Sequence, residues 1–492
     1  MRKKQGLLIL MTCCTVSIAA VMVAFTAFAD VLNVPGTYPY PHFSNAISAA
    51  NTGDTVLAAP GTYTEANISF QGKAITVECA DPRDCIIDCG SSDYGFRFET
   101  NEGSNSVLTG FRIEDADNAA IYCNGSSPTI TDCSLQYNNG AIFGGIYSTN
   151  SSPTISNCDI QFNSANYFGG GGFFGGSPTI SNCDFYRNSG NQVGAIYCED
   201  SSPTITGCAI TYNSARDSMS AGGAWFSGGS PTITGGSINY NTAWGVGGIY
   251  DGYSADSLTM TGVTVSYNSG YEVGGILCEE ASPTITGCTI SYNSTFWAGD
   301  RELGTGGAMF LGGSPTITGG TITYNSGWNI GGIANWESLA SLTVSGCAVT
   351  FNSGYLTGGI DVWNGSPTIS DCNISYNFAW GDAPFTGGGL NLYGGSPTIT
   401  GGNVSYNSAL GAGGIYCTES IASPTISGVT INDNNAEWAG GIGFDGSAGT
   451  VTDCTIRNNT GNGVDAVGGI GISESDGVSI IRSYIIQNTG FG

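Results

Sequence analysis

The polar and apolar residues of this chain follow one unit that returns from residue 127 to the end. Residues 282–294 (SPTITGCTISYNS) form a typical copy, and successive copies begin 25 to 32 residues apart. Each copy is followed by a loop of variable length, a Gly-Gly pair and a short apolar run. Single aliphatic residues between polar neighbours are typical of short strands with one buried face. The pattern therefore predicts three short strands per unit.

A unit of this length suits one turn of a parallel β-helix and is too short for a propeller blade. The high content of Gly, Thr and Asn excludes a helical solenoid. We therefore predict an all-β chain that winds as a single-stranded solenoid. Residues 127–492 would form about 14 regular coils, the last of them incomplete. Coils stacked about 4.8 Å apart give a rod on the order of 65 Å long.

The first 29 residues are predicted to be a secretory signal peptide. Arg2, Lys3 and Lys4 precede an apolar run, and Ala27 and Ala29 frame a small-x-small cleavage site. The alternative is an uncleaved anchor helix. Without those three cations, 9 basic residues remain against 38 acidic ones, a formal charge of −29. Such a surface repels nucleic acid and anionic membranes. We expect no transmembrane segment in the mature chain, which would be secreted or lie on the cell surface.

Residues 30–66 differ from the repeats and are predicted to be an N-terminal cap. The short strand 31–34 leads to an amphipathic helix in which Phe43, Ala46, Ile47 and Ala50 share one face. Residues 53–65 (GDTVLAAPGTYTE) resemble the entry coil of pectate-lyase-like β-helix proteins, which implies a right-handed parallel β-helix. A helix before the first coil covers the open apolar end of a solenoid. Residues 67–126 are expected to form irregular first coils.

An asparagine stands at the same offset in every regular coil. Because an amide both donates and accepts, stacked asparagines can hydrogen-bond from coil to coil. We predict an internal, structural ladder formed by Asn138, Asn163, Asn188, Asn213, Asn241, Asn268, Asn293, Asn325, Asn352, Asn377, Asn407, Asn434, Asn459 and Asn488.

The coils also resemble the short repeats of chlamydial polymorphic outer membrane proteins. Residues 222–224 and 306–308 are Gly-Gly-Ala, and residues 185–188 (FYRN) match the aromatic-x-x-Asn half of that repeat. The resemblance covers roughly residues 107–492 and marks a kind of β-helix coil. Those proteins end in an outer-membrane barrel, which is not seen in this sequence.

Fifteen cysteines follow the signal peptide, and many of them recur at one offset of the coil. Gly or Val takes that offset in other coils, which favours a tight buried position and therefore buried thiols. An oxidising compartment also allows disulfides, and Cys79, Cys85 and Cys89 in the irregular region are the best candidates. A zinc site is not expected, because the chain has no C-x-x-C pair and a single His.

Two sets of residues are candidates for function. Three residues after the ladder asparagine, six successive coils carry an aromatic residue. We predict that these form one stripe, which either binds a sugar or protein or serves only to shield the coil edge. The stripe consists of Trp244, Tyr271, Phe296, Trp328, Tyr355 and Trp380.

An acidic set follows the Gly-Gly strands, and it offers carboxylates for Ca²⁺ or for glycoside cleavage. The alternative is a solvated acidic surface. No other cofactor is expected. The set is Glu199, Asp200, Asp251, Glu279, Glu280, Glu337 and Asp361.

The catalytic signatures of related folds are missing, since the repeats contain no Lys or His and the Asn-Thr-Asp and Gly-His-Gly motifs are absent. We therefore expect a non-catalytic surface protein that uses its loop face for adhesion, with a polysaccharide or a host cell-surface protein as partner. A polysaccharide lyase or glycoside hydrolase is the alternative, and a structural rod is the third.

Overall fold

The chain winds into a right-handed parallel β-solenoid of about 17 turns, which confirms the predicted fold class. A computed structural model describes residues 29–34, 41–252, 257–296, 304–336, 341–383, 385–419 and 423–491. The predicted signal peptide lies outside these residues, apart from Ala29. No helix in the described part of the chain is long and apolar enough to span a membrane.

Each regular coil has three main strands that pair in parallel with the same strands of the coils before and after. In a typical coil the first strand is Thr284–Thr286, the second Thr289–Ser291 and the third, after the Gly-Gly pair, Ala308–Leu311. These positions define sheet 1, sheet 2 and sheet 3. A two-residue strand, Ser294–Thr295, follows the ladder asparagine before the variable loop begins. In this coil the central isoleucines of the first two strands, Ile285 and Ile290, point inward and are buried.

The sheets run almost the whole length of the rod. Sheet 1 extends from Val31–Val34 to Val478–Ile481. Sheets 2 and 3 join through two long strands of the first coils, Cys85–Phe98 and Phe111–Asn124, and end at Tyr484–Ile486 and Ile470–Ser473. The predicted irregularity of residues 67–126 corresponds to these long strands, whose pairing shifts register between Asp88 and Tyr94.

The N-terminal segment adds a helix, α1 (Phe43–Ala49), between the first strand and the strand Thr55–Ala58. Phe43 is fully buried, and its ring packs against Tyr63, Phe96 and Phe111 at centroid distances of 5.0 to 6.3 Å. Lys73 Nζ donates to the main-chain oxygens of residues 47, 48 and 50 at the end of α1. The helix therefore covers the apolar interior of the first coils.

The asparagines of the regular coils form a continuous buried ladder. In each link the side-chain Nδ2 donates to Oδ1 of the next asparagine, as Asn293 does to Asn325 at 3.0 Å. The same Oδ1 also accepts the main-chain N–H of the preceding asparagine, here from Asn293 to Asn325 at 3.0 Å. A second Nδ2 hydrogen bond reaches a carbonyl of an earlier strand, as from Asn293 to Val265. The ladder thus joins each coil to its neighbours.

The cysteines divide as the sequence suggests. Cys79 and Cys85 form a disulfide in the irregular region. The other cysteines of the described chain, Cys89 included, are buried free thiols.

One carboxylate faces the apolar interior. Asp251, in the strand Ile249–Gly252, pairs in register with Phe226 and Cys278 and is 1% exposed. The main-chain N–H of Leu258 donates to its Oδ2 at 3.4 Å. Burial raises the pKa of Asp251 to about 6. The charged form is therefore unfavourable inside the rod.

We expect Asp251→Asn to stabilise the protein at neutral pH. The pKa is higher in the folded than in the unfolded chain, so stability is greatest below the unfolded value near 4 and falls as the pH rises toward 6. At pH 8 the substitution should raise the free energy of unfolding by on the order of 2 kcal/mol. Urea unfolding at about pH 4 and about pH 8 checks this. An equal gain at both pH values would contradict the assignment.

Candidate functional site

The six aromatic residues of the predicted stripe lie on the variable loops and contact one another in two groups. Trp244 stacks near Tyr271 at 5.9 Å, and Tyr271 meets Phe296 edge-on at 6.4 Å. In the second group, the ring of Trp380 contacts Trp328 at 5.7 Å and Tyr355 at 5.0 Å. These contacts fit both interpretations of the stripe, a binding surface and a self-packed edge.

The acidic residues do not all lie on one face of the rod, although Glu199, Glu279 and Asp361 all occupy outward positions of sheet 3. Asp251 points into the rod, whereas Glu199, Asp200 and Glu280 are exposed at the ends of sheet 3 strands. Asp361 lies on the outer face of sheet 3 but is covered. Glu337 lies outside the described residues. Within the described ranges, no group of three or more His, Cys, Asp or Glu side chains is placed to hold a metal ion.

The outer face of sheet 3 carries a second apolar layer, and this layer creates the candidate site. Loop residues such as Val273 and Ile330 pack on outward-facing strand residues such as Leu277 and Met309. Further along the rod the loop and the sheet separate. They enclose a cavity of about 520 Å³, which we call the Trp363 cavity.

Aromatic side chains form the sheet side of the Trp363 cavity. Trp336, Trp363 and Tyr393 are the last residues of the successive sheet 3 strands Ile333–Trp336, Ile360–Trp363 and Leu390–Tyr393. Trp363 contacts Trp336 at 5.8 Å and Tyr393 at 4.8 Å between ring centroids. Parallel in-register pairing places these three rings in one row. Trp336 is buried, but Trp363 is 37% exposed and available to a ligand.

The opposite side comes from the variable loops. Asn329, Leu356 and Phe385 line it. Asn329 and Leu356 each follow a residue of the predicted stripe, Trp328 and Tyr355. The stripe residues themselves are not among the described residues that line this cavity.

A buried polar network lies at the base. Asp361 accepts three hydrogen bonds, from Trp336 Nε1 at 2.8 Å, Thr357 Oγ1 at 2.6 Å and Asn391 Nδ2 at 2.9 Å. Burial raises the pKa of Asp361, and the three donors oppose that rise. Since both carboxylate oxygens are engaged, Asp361 fixes the orientation of Trp336 and Asn391.

Asn391 is left with an unused acceptor. Its amide nitrogen is directed to Asp361, and its Oδ1 is buried with no hydrogen-bond donor. A buried acceptor without a donor costs free energy, so such groups are uncommon in folded proteins. The Trp363 cavity therefore combines an aromatic row with one acceptor that a ligand hydroxyl could satisfy.

Comparison with known families and structures fixes the family. The family model described as "Right handed beta helix region" matches residues 142–216, 175–349 and 358–492. The chain belongs to the right-handed β-helix family. No curated protein matches the sequence.

Solved structures similar to this β-helix protein are only distantly related. The PL6 family alginate lyase AlyGC is 12% identical, with 94% of this chain and 81% of that chain covered and a TM-score of 0.33. Pectate lyase Pel9A is 14% identical, with 70% of this chain and 78% of that chain covered and a TM-score of 0.29. Bacteriophage CBA120 tailspike protein 3 is 12% identical, with 90% of this chain and 58% of that chain covered and a TM-score of 0.30. All three are less than 15% identical to this chain, and the β-helix fold itself is established by the family model.

A second cavity continues along the same face of the β-helix. It measures about 390 Å³ and is lined by Tyr416, Trp438 and Asp445, among others. Tyr416 follows Asn391 in register and donates its hydroxyl to Asp445 at 2.9 Å. Burial raises the pKa of Tyr416 above its usual value. Together the two cavities are lined by six successive coils, whose five spacings cover roughly 24 Å of the rod.

The sequence analysis did not identify these residues, although a signal was present. Residues of a strand alternate between the two faces, so Trp336, Trp363 and Tyr393 fall on the outward side when Ile333, Ile360 and Leu390 point inward. Their equal distance from the Gly-Gly pair was enough to predict one aromatic row. What the sequence did not indicate is that a loop folds back over this face.

A second feature outside the prediction is a stack of exposed rings directly before the ladder asparagines. Neighbouring rings are parallel within 2° to 7° and 4.7 to 4.9 Å apart. Each of these residues has a positive φ. Stacking offsets the cost of that backbone conformation, and we assign the row a structural role. The row is Tyr212, Tyr240, Tyr267, Tyr292, Tyr324, Phe351, Tyr376 and Tyr406.

Proposed function

We propose that this protein is exported and binds a neutral polysaccharide along the outer face of sheet 3, without cleaving it. The observation that carries the proposal is the Trp363 cavity, which is lined by the aromatic row and by Asn391. The predicted signal peptide supports export.

A sugar chain fits the two kinds of surface present. The C–H faces of a pyranose ring pack on aromatic rings, and its hydroxyls donate hydrogen bonds to fixed acceptors. Trp363 offers the exposed ring, and Asn391 offers the acceptor held by Asp361. The adjoining cavity at Tyr416 extends the same face to the length of several sugar units.

The charge of the Trp363 cavity and of the second cavity favours a neutral ligand. Asp361 lines the Trp363 cavity, and Asp445 and Glu437 line the second cavity. The whole chain has a formal charge of −26. No Lys or Arg is among the described residues that line either cavity. A polyanionic chain would therefore be repelled as it approached.

Polysaccharide cleavage is the second candidate, and one observation favours it. Asp361 is a buried carboxyl group in a cleft with a raised pKa, as catalytic acids often are. Against this, all its oxygens are already hydrogen-bonded to the protein. Release of reducing or unsaturated sugars from a bound polysaccharide, lost in Asp361→Asn, would establish the enzyme.

We expect Trp363→Ala to weaken polysaccharide binding about tenfold to a hundredfold, because it removes the exposed ring of the row. A screen of neutral oligosaccharides on the mature protein identifies the ligand, and isothermal titration calorimetry measures the affinity of each variant. Asn391→Leu should weaken binding about tenfold, since the ligand hydroxyl loses its acceptor.

Trp380→Ala is the matched control. Trp380 is 42% exposed, close to the 37% of Trp363, and belongs to the predicted loop stripe. It should bind like the unmodified protein. If Trp380→Ala loses binding and Trp363→Ala does not, the ligand lies on the stripe and the Trp363 cavity is not the site.

A further inference from the structure

A column of buried thiols runs along the corner between sheets 1 and 2. Cys133, Cys158, Cys183 and Cys208 take the same position in four successive coils and are 0 to 4% exposed. The main-chain oxygen of each of the first three accepts an N–H from the next coil at 2.9 Å, which keeps the column in register. The main-chain N–H of Cys183 donates to Cys208 Sγ in the next coil at 3.5 Å. The in-register pairing therefore holds equivalent cysteines of adjacent coils about one strand spacing apart.

A shorter column repeats the arrangement. Cys347 and Cys372 are buried free thiols at the same position in adjacent coils. The main-chain N–H of Asn373 donates to Cys347 O at 2.9 Å. Both cysteines are buried, with 2% and 4% exposed.

The spacing of these thiols disfavours disulfides. Strands paired in register hold equivalent Cβ atoms about 4.8 Å apart, whereas a relaxed disulfide needs Cβ atoms about 3.8 Å apart. The same spacing suits an ion placed between two sulfurs. Two metal–thiolate bonds of about 2.3 Å span roughly 4.6 Å when they are collinear. Soft monovalent copper prefers thiolate ligands, and a two-coordinate site needs only two of them.

We propose that the stacked cysteines bind Cu(I) between adjacent coils, one ion each in the pairs Cys133–Cys158, Cys183–Cys208 and Cys347–Cys372. In each pair the ion lies between the two sulfurs and replaces one thiol proton, which in the free protein is donated to a main-chain oxygen, as from Cys158 to Ser156 at 3.2 Å and from Cys372 to Ser370 at 3.2 Å. Two thiols and Cu⁺ give one thiolate and one thiol bound to copper, and one H⁺ is released. Copper stays in the same oxidation state, and the buried site remains neutral, which avoids the cost of an isolated buried charge.

Within the described residues, no group of three or more His, Cys, Asp or Glu side chains is placed to hold a metal ion. The proposed Cu(I) site needs only two sulfurs. Cysteines at other inward positions provide the contrast. Cys198 pairs with Phe173 and Phe226, and Cys278 with Asp251 and Phe310. Neither cysteine is paired in register with another cysteine, so they should not hold Cu(I).

The experiment titrates the reduced mature protein with Cu(I) under anaerobic conditions against a chromophoric Cu(I) chelator. One ion per pair and a thiolate-to-copper absorption band are expected. Cys372→Val should lose one ion. Valine already stands at this position in two coils, at Val263 and Val429, so the variant should fold. Circular dichroism verifies that it does.

Cys288→Val is the matched control. Cys288 takes the same corner position, but its neighbours along the column are Val263 and Gly320. Its removal should leave the number of bound ions unchanged. The proposal is overturned if Cys372→Val keeps all ions, if Cys288→Val loses as many, or if glutathione at equal thiol concentration removes the copper. It is also overturned if thiol counting in denaturant shows the column oxidised to disulfides.

Discussion

Replacing Asn293 by alanine is expected to lower the free energy of unfolding by about 3 to 5 kcal/mol. Asn293 is fully buried, and its Oδ1 accepts both the main-chain N–H and the Nδ2–H of Asn268 at 3.0 Å. Its Nδ2 donates to Asn325 Oδ1 and to Val265 O. Alanine leaves several of these buried groups unsatisfied, and each costs about 1 to 3 kcal/mol.

The effect should be local, because each coil contacts mainly its neighbours. Hydrogen exchange is therefore the best measurement, and protection should fall first in the coils on either side of residue 293. Asn373→Ala is the control: Asn373 is exposed and accepts one long hydrogen bond, from Asn403 at 3.3 Å. If both variants lose the same protection, the ladder does not stabilise the rod more than a surface contact.

The β-helix was predictable from the sequence because its determinants repeat. The isoleucine at the centre of Thr284–Thr286, the inward isoleucine of Thr289–Ser291 and the asparagine at 293 each occupy a position that recurs along the chain. A pattern seen many times separates the inward positions from the outward ones. The buried helix α1 was also predictable, since Phe43, Ala46 and Ile47 show helical spacing.

The candidate site was not predictable in the same way, because it depends on features that occur once. Asp361 and Asn391 stand in register with Ala334 and Tyr416, so no recurring residue type marks their column. Whether a loop covers that column depends on loop length and packing, which differ from coil to coil. Asp251 shows the same limit. The alternation of residues along its strand places Asp251 on the inner face, where the other coils usually carry an apolar residue. The residue type alone would have predicted an exposed side chain.

Gly274→Ala is expected to destabilise the protein by about 3 kcal/mol or more. The first glycine of the Gly-Gly pair is glycine in every regular coil from Gly144 to Gly468. A Cβ at Gly274 would lie 2.6 Å from Gly306 O and 2.6 Å from Ser294 N. Two separate main-chain segments of the next coil thus converge on this point, and neither can move without breaking ladder or sheet hydrogen bonds.

The adjacent residue supplies the control. A Cβ at Gly275 would meet one main-chain segment, with Gly307 O at 2.3 Å, and the chain already carries Ala195 at the equivalent position of another coil. Because the chain tolerates alanine at this position in one coil, Gly275→Ala should cost about 1 kcal/mol. Urea unfolding and hydrogen exchange of both variants compare them. Equal losses would mean that crowding at the first glycine is not what fixes the spacing between coils.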